Sequence, residues 1–204
     1  MRQTFRTQGQ AQFRLSILIC SLPNRIHKLA NLLQTLNRQS IMQHVEVIYL
    51  GDNKSMSVGE KRNLLLYISR GEYVCFVDDD DQVADNYVST ILKNIEGKPD
   101  VYSFDVMQIK TERTGAVNER LMIHSIRNGK NYRDKEKNVM MMIPNHLSVI
   151  KREIAVKEQF PHKNLAEDHQ WADGIQKYLK SEQKTSDVLY YYHDNKDQSE
   201  TRKR

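Results

Sequence analysis

Cysteine is nearly absent: the 204-residue chain has two, Cys20 and Cys75. Each lies inside an apolar run that reads as a buried strand, LSILIC and YVCFV, so a disulfide framework is excluded and reduced core thiols in a cytoplasmic protein are expected. Long apolar runs are missing as well. No stretch approaches the roughly 20 residues that a membrane-spanning helix needs. The opening residues MRQTFRTQGQAQFR are basic and polar, without the apolar segment of a signal peptide. Neither membrane insertion nor export by a cleaved signal is expected, and the lack of any internal repeat sets repeat architectures aside.

What is present is the composition of one globular domain long enough to bury a substantial core. Hydrophobic residues make up 39% and charged residues 28%, which fits neither a disordered chain nor a helix bundle. The net charge of +5 and pI near 9.1 permit a polyanionic partner without requiring one.

Apolar periodicity divides the first half into alternating elements. LSILIC, 15–20, reads as a buried strand closed by the turn Ser-Leu-Pro-Asn. RIHKLANLLQTLN, 25–37, sets Ile26, Leu29, Leu32, Leu33 and Leu36 at helical spacing. VEVIYL, 45–50, is a second strand that stops at GDNKSMSVG, and a helix over 59–69 leads into a third strand, RGEYVCFV. This alternation predicts an α/β fold with a mostly parallel central sheet and helices on both faces. Ligands bind at the carboxyl ends of strands in such sheets. GDN at 51–53 and DDDD at 78–81 both fall there and are expected to meet in one cleft.

The second half is less regular. Residues 85–95 read as a helix, DVYSFDVMQIK at 100–110 as a long or broken strand, and TERTGAVNER as a hairpin turn. The span 110–137 carries eight Lys or Arg against four Asp or Glu in an irregular pattern, and is read as a basic, partly mobile loop region. MMMIP reads as a buried strand edge rather than a cofactor contact, and IPNHLSVIKREIA as a strand and a short helix. NLAEDHQWADGIQKYL predicts a helix starting near Glu167, with two carboxylates at its positive end. VLYYYHDN is a strand with Tyr191 and His193 on one face and Tyr190 and Tyr192 on the other.

FVDDDDQV, 76–83, places four carboxylates in a row directly after an apolar strand. Like charges repel, and such a run alone is most often a solvated turn. A hard divalent cation removes the difficulty, because Mg²⁺ and Mn²⁺ take oxygen ligands and offset the repulsion. Such a cation completes its shell with water and phosphate oxygens, so a diphosphate ligand follows naturally.

Four segments, in order, resemble glycosyltransferase family 2, the inverting enzymes of the GT-A fold: LSILICSLPNR, GDNKSMSVGEKRN, RGEYVCFVDDDD and LAEDHQW. The resemblance implies a Rossmann-like GT-A domain over 1–204, with a nucleotide-sugar-binding half at 15–99, a smaller acceptor-side half at 100–193 and a polar tail at 194–204. It implies that Pro23 and Arg25 follow the first strand beside the nucleotide. Asp52 would read the base, usually uracil, of a UDP-sugar donor, while Lys61, Arg62 and Asn63 would face nucleotide and sugar. In the family's Asp-any-Asp motif, Asp78 lies near ribose and metal and Asp80 ligates Mn²⁺ or Mg²⁺. Asp79 lies beside the nucleotide or is an ordinary turn residue, and Asp81 is a donor-sugar contact.

Glu167-Asp168 resembles the family's Glu-Asp pair, whose Asp is the catalytic base. Displacement at the anomeric carbon needs a carboxylate on the acceptor side to take the hydroxyl proton. His193 falls where some members place a third metal ligand; a structural histidine beside the tyrosines is the alternative. His146 and His169 are candidate acceptor or donor-sugar contacts or hydrogen-bonding supports. Trp171 either stacks on an acceptor or packs in the core, with the core favoured. The Gln-any-any-Arg-Trp motif of processive members is absent, so a single transfer is expected.

The compact chain also resembles family members encoded by bacteriophages, some of which glycosylate hydroxymethylated pyrimidines in DNA. A soluble acceptor is expected because the chain ends soon after the last strand. The basic leader with Arg2, Arg6 and Arg14, together with the basic 110–137 span, suits a phosphate backbone. The acceptor implied is 5-hydroxymethylcytosine or a related hydroxymethyl pyrimidine in DNA. The alternatives are a cell-surface glycan or lipid-linked sugar, or a catalytically inactive nucleic-acid-binding protein on a transferase fold.

Overall fold

A computed structural model describes residues 13–39 and 44–195 of the chain. Arg2 and Arg6 of the basic leader and most of the polar tail, 196–204, lie outside the described residues. The first strand, β1 (Phe13–Ser21), runs into a 3₁₀ turn, Pro23–Arg25, and helix α1 (Ile26–Arg38). Then come β2 (Val45–Gly51), α2 (Val58–Ile68), β3 (Gly71–Phe76), the short β4 (Gln82–Val83) and α3 (Tyr87–Asn94). The second half comprises β5 (Val101–Thr111), β6 (Val117–His124), β7 (Tyr132–Asp134), β8 (Val139–Met142), β9 (Val149–Lys151), α4 (Arg152–Ala155), α5 (Glu167–Ile175) and β10 (Glu182–Asn195).

The described strands form one sheet in the order β2-β1-β3-β9-β5-β6-β8-β7, with β10 along β5 and β4 against β10. β1 pairs in parallel with both β2 and β3, as the βαβ pattern predicts. Alternation along these strands divides the core. Leu15, Ile17 and Ile19 of β1 and Tyr73 and Cys75 of β3 pack with Leu29, Leu32 and Leu36 of α1 and Tyr87, Val88 and Ile91 of α3. Leu18, Val74 and Phe76 point the other way, to Leu65 and Leu66 of α2, Ile154 of α4 and Trp171 and Ile175 of α5. Helices therefore cover both faces, and both cysteines are free thiols within these layers.

The second half departs from expectation between 110 and 137. Nearly half of that span is strand: β5 runs unbroken to Thr111 and returns through a tight turn as β6, with Glu112 N–H donating to Ala116 C=O at 2.8 Å and Gly115 at φ 83°. β6 is exposed along its first residues, so its sequence shows no clean apolar alternation, and its order comes from pairing with β5 and β8. β9 is antiparallel to both β3 and β5, which ties the two halves into one sheet. The MMMIP run supplies its three methionines to β8, which is a strand but not an edge, since β6 and β7 pair with its two sides. Arg14 is structural, its guanidinium donating to the Leu92 carbonyl at 2.8 Å.

Candidate active site

A cleft of about 840 Å³ opens at the carboxyl ends of β1 and β3, a size suited to a nucleotide-sized ligand. Its floor is the acidic run; one wall is α2 and the segment leading into α5, and the other is built from β6, β8 and β10. β3 ends at Phe76, so Asp78–Asp81 form the turn that follows it. The four carboxylates have four different environments.

Asp78 accepts from Arg62 Nη2 at 3.2 Å and lies 3.8 Å from His146 Nε2. Burial pushes its pKa up, but Arg62 and His146 outweigh that and hold it well below the usual carboxylate range. Asp79, only 2% exposed, accepts from Ser21 Oγ at 2.7 Å and Arg25 Nη1 at 2.8 Å. Asp80 accepts from Arg25 Nη2 at 2.5 Å. Burial raises the pKa of both Asp79 and Asp80 against the pull of these partners.

Asp81 is turned away from the cleft. Tyr190 O–H donates to it at 2.7 Å and the His193 backbone N–H at 2.8 Å, while Asp78 N–H donates to Tyr190 Oη at 3.0 Å. Burial drives its pKa well up. The expected donor-sugar contact at Asp81 is therefore corrected: this carboxylate braces the turn against β10.

α2 explains how two cations come to be buried. Its start is fixed by a capping box in which Ser57 Oγ accepts from Glu60 N–H and the Glu60 carboxylate accepts from Ser57 N–H. One turn on, Lys61 and Arg62 point into the protein, each 3% exposed, which is tolerable only with paired charge. Lys61 Nζ donates to Asp52 at 2.7 Å and to the Ser21 carbonyl at 3.1 Å. Arg62 Nη1 donates to Glu167 at 2.8 Å, and its guanidinium lies 5.6 Å and 5.5 Å from the Phe76 and Phe160 ring centres. Burial disfavours its charge, but Asp78 and Glu167 outweigh that and raise its pKa.

Asp52, at the end of β2, also accepts from Ser55 Oγ and Met56 N–H. Burial raises its pKa, yet these bonds and the one from Lys61 together bring it down to about 2. A carboxylate has about four lone-pair sites; the three donors to Asp52 leave capacity for one more.

Glu167 and Asp168 open α5, as the sequence indicates. Ala166 before them is in the left-handed region at φ 57°, which turns the chain sharply into the helix. Glu167 is buried against Arg62, whereas Asp168 faces the cleft with its side chain 21% exposed, and His146 Nδ1 lies 3.4 Å away. Burial raises the Asp168 pKa, but His146, Arg62 and His169 outweigh it and leave it lowered. His146 thus sits between Asp78 and Asp168, with neither ring nitrogen hydrogen-bonded. His169 is exposed at the rim of the same cleft.

Two further expectations, at Asn63 and Pro23, are corrected, while Trp171 takes the core place favoured for it from the sequence. The Asn63 side chain does not face the cleft: it donates to Phe160 C=O and accepts from Phe160 N–H, both at 2.8 Å, pinning α2 to the chain before α5. Trp171 is 2% exposed, stacked on Phe160 at 4.5 Å and hydrogen-bonded to Ala155 C=O. It is core, not an acceptor platform. Pro23 is exposed and shapes the turn that carries Arg25 instead of lining the cleft. Ser21, Met122 and Asn145 line it without having been singled out from sequence, and Met142, from the run read as a strand edge rather than a cofactor contact, lines it too; Ser21 alone of the first three carries a signal, as the last residue of a strand ending in a polar turn.

The donor set suits a hard cation. Asp78 and Asp80 offer oxygens to the cleft with side chains 32% and 23% exposed. His193 lines the same cleft with its Nε2 unpartnered, and burial lowers its pKa, keeping the ring neutral. Among the described residues no three such side chains stand grouped as a ready-made cage. Two carboxylates with phosphate and water are the usual protein share of a Mg²⁺ shell.

Fold and site together define an α/β enzyme-type cleft for a nucleotide diphosphate, with a facing carboxylate. The family model described as glycosyl transferase family 2 matches residues 33–157. The chain belongs to that family. Among solved structures, TarS 1-349 from S. aureus matches with a TM-score of 0.63 at 17% identity, over 89% of this chain and 60% of that one. The same TarS segment in complex with UDP-GlcNAc matches at 0.63 and 16%, over 89% and 58%. The mannosyltransferase PcManGT from Pyrobaculum calidifontis, in complex with GDP-Man and Mn²⁺, matches at 0.58 and 12%, over 87% and 56%. At such identities the likeness is one of fold, the GT-A fold, and the chain spans about 60% of the length of the TarS segment. No curated protein sequence matches the chain.

Proposed function

We propose that this chain is a metal-dependent, inverting glycosyltransferase that moves one sugar from a UDP-sugar to a hydroxyl acceptor, with its nucleotide half at 15–99 and its acceptor half at 100–193. The observation that carries the reading is the cleft-facing Asp168, held ionised on the far side of His146 from Asp78. Asp168 takes the proton of the acceptor hydroxyl as the new glycosidic bond forms at the anomeric carbon and the bond to the diphosphate breaks. Glu167 does not touch the acceptor; through Arg62 it joins the base-bearing helix to Asp78. Asp52 accepts from the uracil ring N–H with its remaining lone pair. Lys61 stands beside it and Arg25 at the diphosphate. Asp80 and Asp78, with His193, would hold Mn²⁺ or Mg²⁺, which when bound screens the charge growing on the leaving diphosphate.

For the acceptor, the described basic span supports a polyanion. Arg127, Lys130, Arg133, Lys135 and Lys137 are exposed around β6, β7 and β8, the strands that also supply Met122 and Met142 to the cleft wall. A phosphate backbone laid along them would bring a flipped base to the cleft. The acceptor read from this is 5-hydroxymethylcytosine, or a related hydroxymethyl pyrimidine, in DNA. Mass spectrometry of nucleosides after incubating hydroxymethylated DNA with a panel of UDP-sugars and Mn²⁺ tests it. An added hexose or N-acetylhexosamine mass on the base supports the DNA acceptor. UDP release with no added mass moves the acceptor to a glycan or lipid-linked sugar. DNA binding with no UDP release from any donor leaves an inactive binding protein.

A further inference from the structure

Arg25 stands where the acidic run needs positive charge. Its two terminal nitrogens reach Asp79 at 2.8 Å and Asp80 at 2.5 Å, and its side chain, 18% exposed, lines the cleft. The turn carrying it begins at Pro23, whose ring fixes the backbone leaving β1. The two carboxylates it bridges are unequal. Asp79 is buried and doubly anchored, because Ser21 Oγ holds its other oxygen at 2.7 Å. Asp80 keeps 23% of its side chain exposed. Asp79 is the fixed end of the fork and Asp80 the open end.

We infer that Arg25 is a resident counter-cation that occupies Asp80 until a divalent cation arrives with the donor diphosphate, and that it then turns one N–H from Asp80 to a diphosphate oxygen while keeping Asp79. This rests on the reading of the cleft as a metal and nucleotide-sugar site. A guanidinium and a divalent cation sharing one carboxylate oppose each other, and the diphosphate supplies the negative charge that lets both stay. The consequence is an order of events: the protein alone binds the cation weakly, and UDP makes that binding strong.

Titration of Mn²⁺ into the whole chain, followed by the electron paramagnetic resonance signal of the free ion, tests this with and without UDP. Wild type is compared with Arg25→Gln and Arg25→Met, each checked for a cooperative thermal transition. Without UDP, both variants are expected to bind Mn²⁺ tighter than wild type, by on the order of tenfold, the equivalent of about one pK unit of relieved repulsion. The enhancement of Mn²⁺ binding by UDP is expected to shrink, because the diphosphate has lost its Arg25 contact. Unchanged or weaker Mn²⁺ binding by both variants without UDP, while wild type still binds it with UDP, overturns the inference alone. Failure of wild type to bind Mn²⁺ even with UDP overturns the metal-nucleotide reading and the inference together.

Discussion

Replacing Arg62 with Met removes a cation that lies between Asp78 at 3.2 Å and Glu167 at 2.8 Å. Met retains much of the stem packed between Phe76 and Phe160, so the loss is mainly charge. Glu167 is 5% exposed and has little water to replace the guanidinium. Breaking a buried pair from one side costs about 3–5 kcal/mol, and for a chain of this size each kcal/mol moves the melting temperature by about 2–4 °C. Arg62→Met is thus expected to melt roughly 6–20 °C lower at pH 7. The sign of the pH effect follows from Asp78. Its folded pKa is depressed mainly by Arg62 against the opposing effect of burial, so its stabilisation is present above the unfolded carboxylate pKa and is lost as pH falls through the folded value. The variant lacks that depression. The gap between wild type and Arg62→Met should therefore narrow as the pH is taken down towards about 4, where the abandoned carboxylates protonate. Thermal melts of both proteins across this range decide it. A gap below about 1 kcal/mol at neutral pH, or one independent of pH, refutes the ion-pair argument.

Trp171→Ala should destabilise by about 3–5 kcal/mol without a selective rise in acceptor KM, whereas Trp171→Phe keeps most of the packing; an isolated acceptor KM effect would restore the stacking role. Gly59→Ala places a Cβ 1.9 Å from the Pro161 carbonyl oxygen, displacing the segment that leads to Glu167 and Asp168. It should cost about 1–3 kcal/mol and lower kcat more than it weakens UDP binding, measured by calorimetry alongside steady-state rates. Because the hydrogen bonds that overcome burial hold Asp52 at about 2, its contribution to stability is fully present above the unfolded carboxylate pKa and is lost progressively as pH falls from there through the folded value. Asp52 should accordingly add no pH dependence of its own to UDP affinity across neutral and mildly acidic pH, and Lys61→Met should introduce a further acid-side loss relative to wild type, visible in a calorimetric pH series.

The sequence makes the nucleotide half legible because its strands are short apolar runs separated by amphipathic helices, and strand ends in parallel sheets mark the ligand side. Asp78 and Asp80 line the cleft after β3 as that logic has it, and Asp52 follows β2 but reaches the cleft through Lys61; Asp168 is read instead from the resemblance to the family's Glu-Asp pair, and α5 starts at Glu167 as its acidic first turn indicates. What was illegible depended on pairing across long separations. Lys61 and Arg62 look like an ordinary charged helix surface until Asp52, Asp78 and Glu167 are brought beside them. The family resemblance implies ligand contacts at Asn63 and Asp81, but Phe160 backbone groups and Tyr190 claim them. The basic span hid β7, an edge strand, and β6, whose first residues are exposed, because charged residues at exposed strand positions mask the apolar alternation. The three-residue β9, which joins the halves, is too short to show a period.

The most direct measurement is UDP release from a UDP-sugar in the presence of Mn²⁺ and acceptor by wild type and Asp168→Asn, with donor binding followed in parallel. The expected result is release by wild type, and in Asp168→Asn a donor Kd unchanged within about twofold with turnover lower by about 10²–10⁴-fold. Undiminished turnover in Asp168→Asn would move the base elsewhere, and no release by wild type with any UDP-sugar would contradict the transferase reading itself.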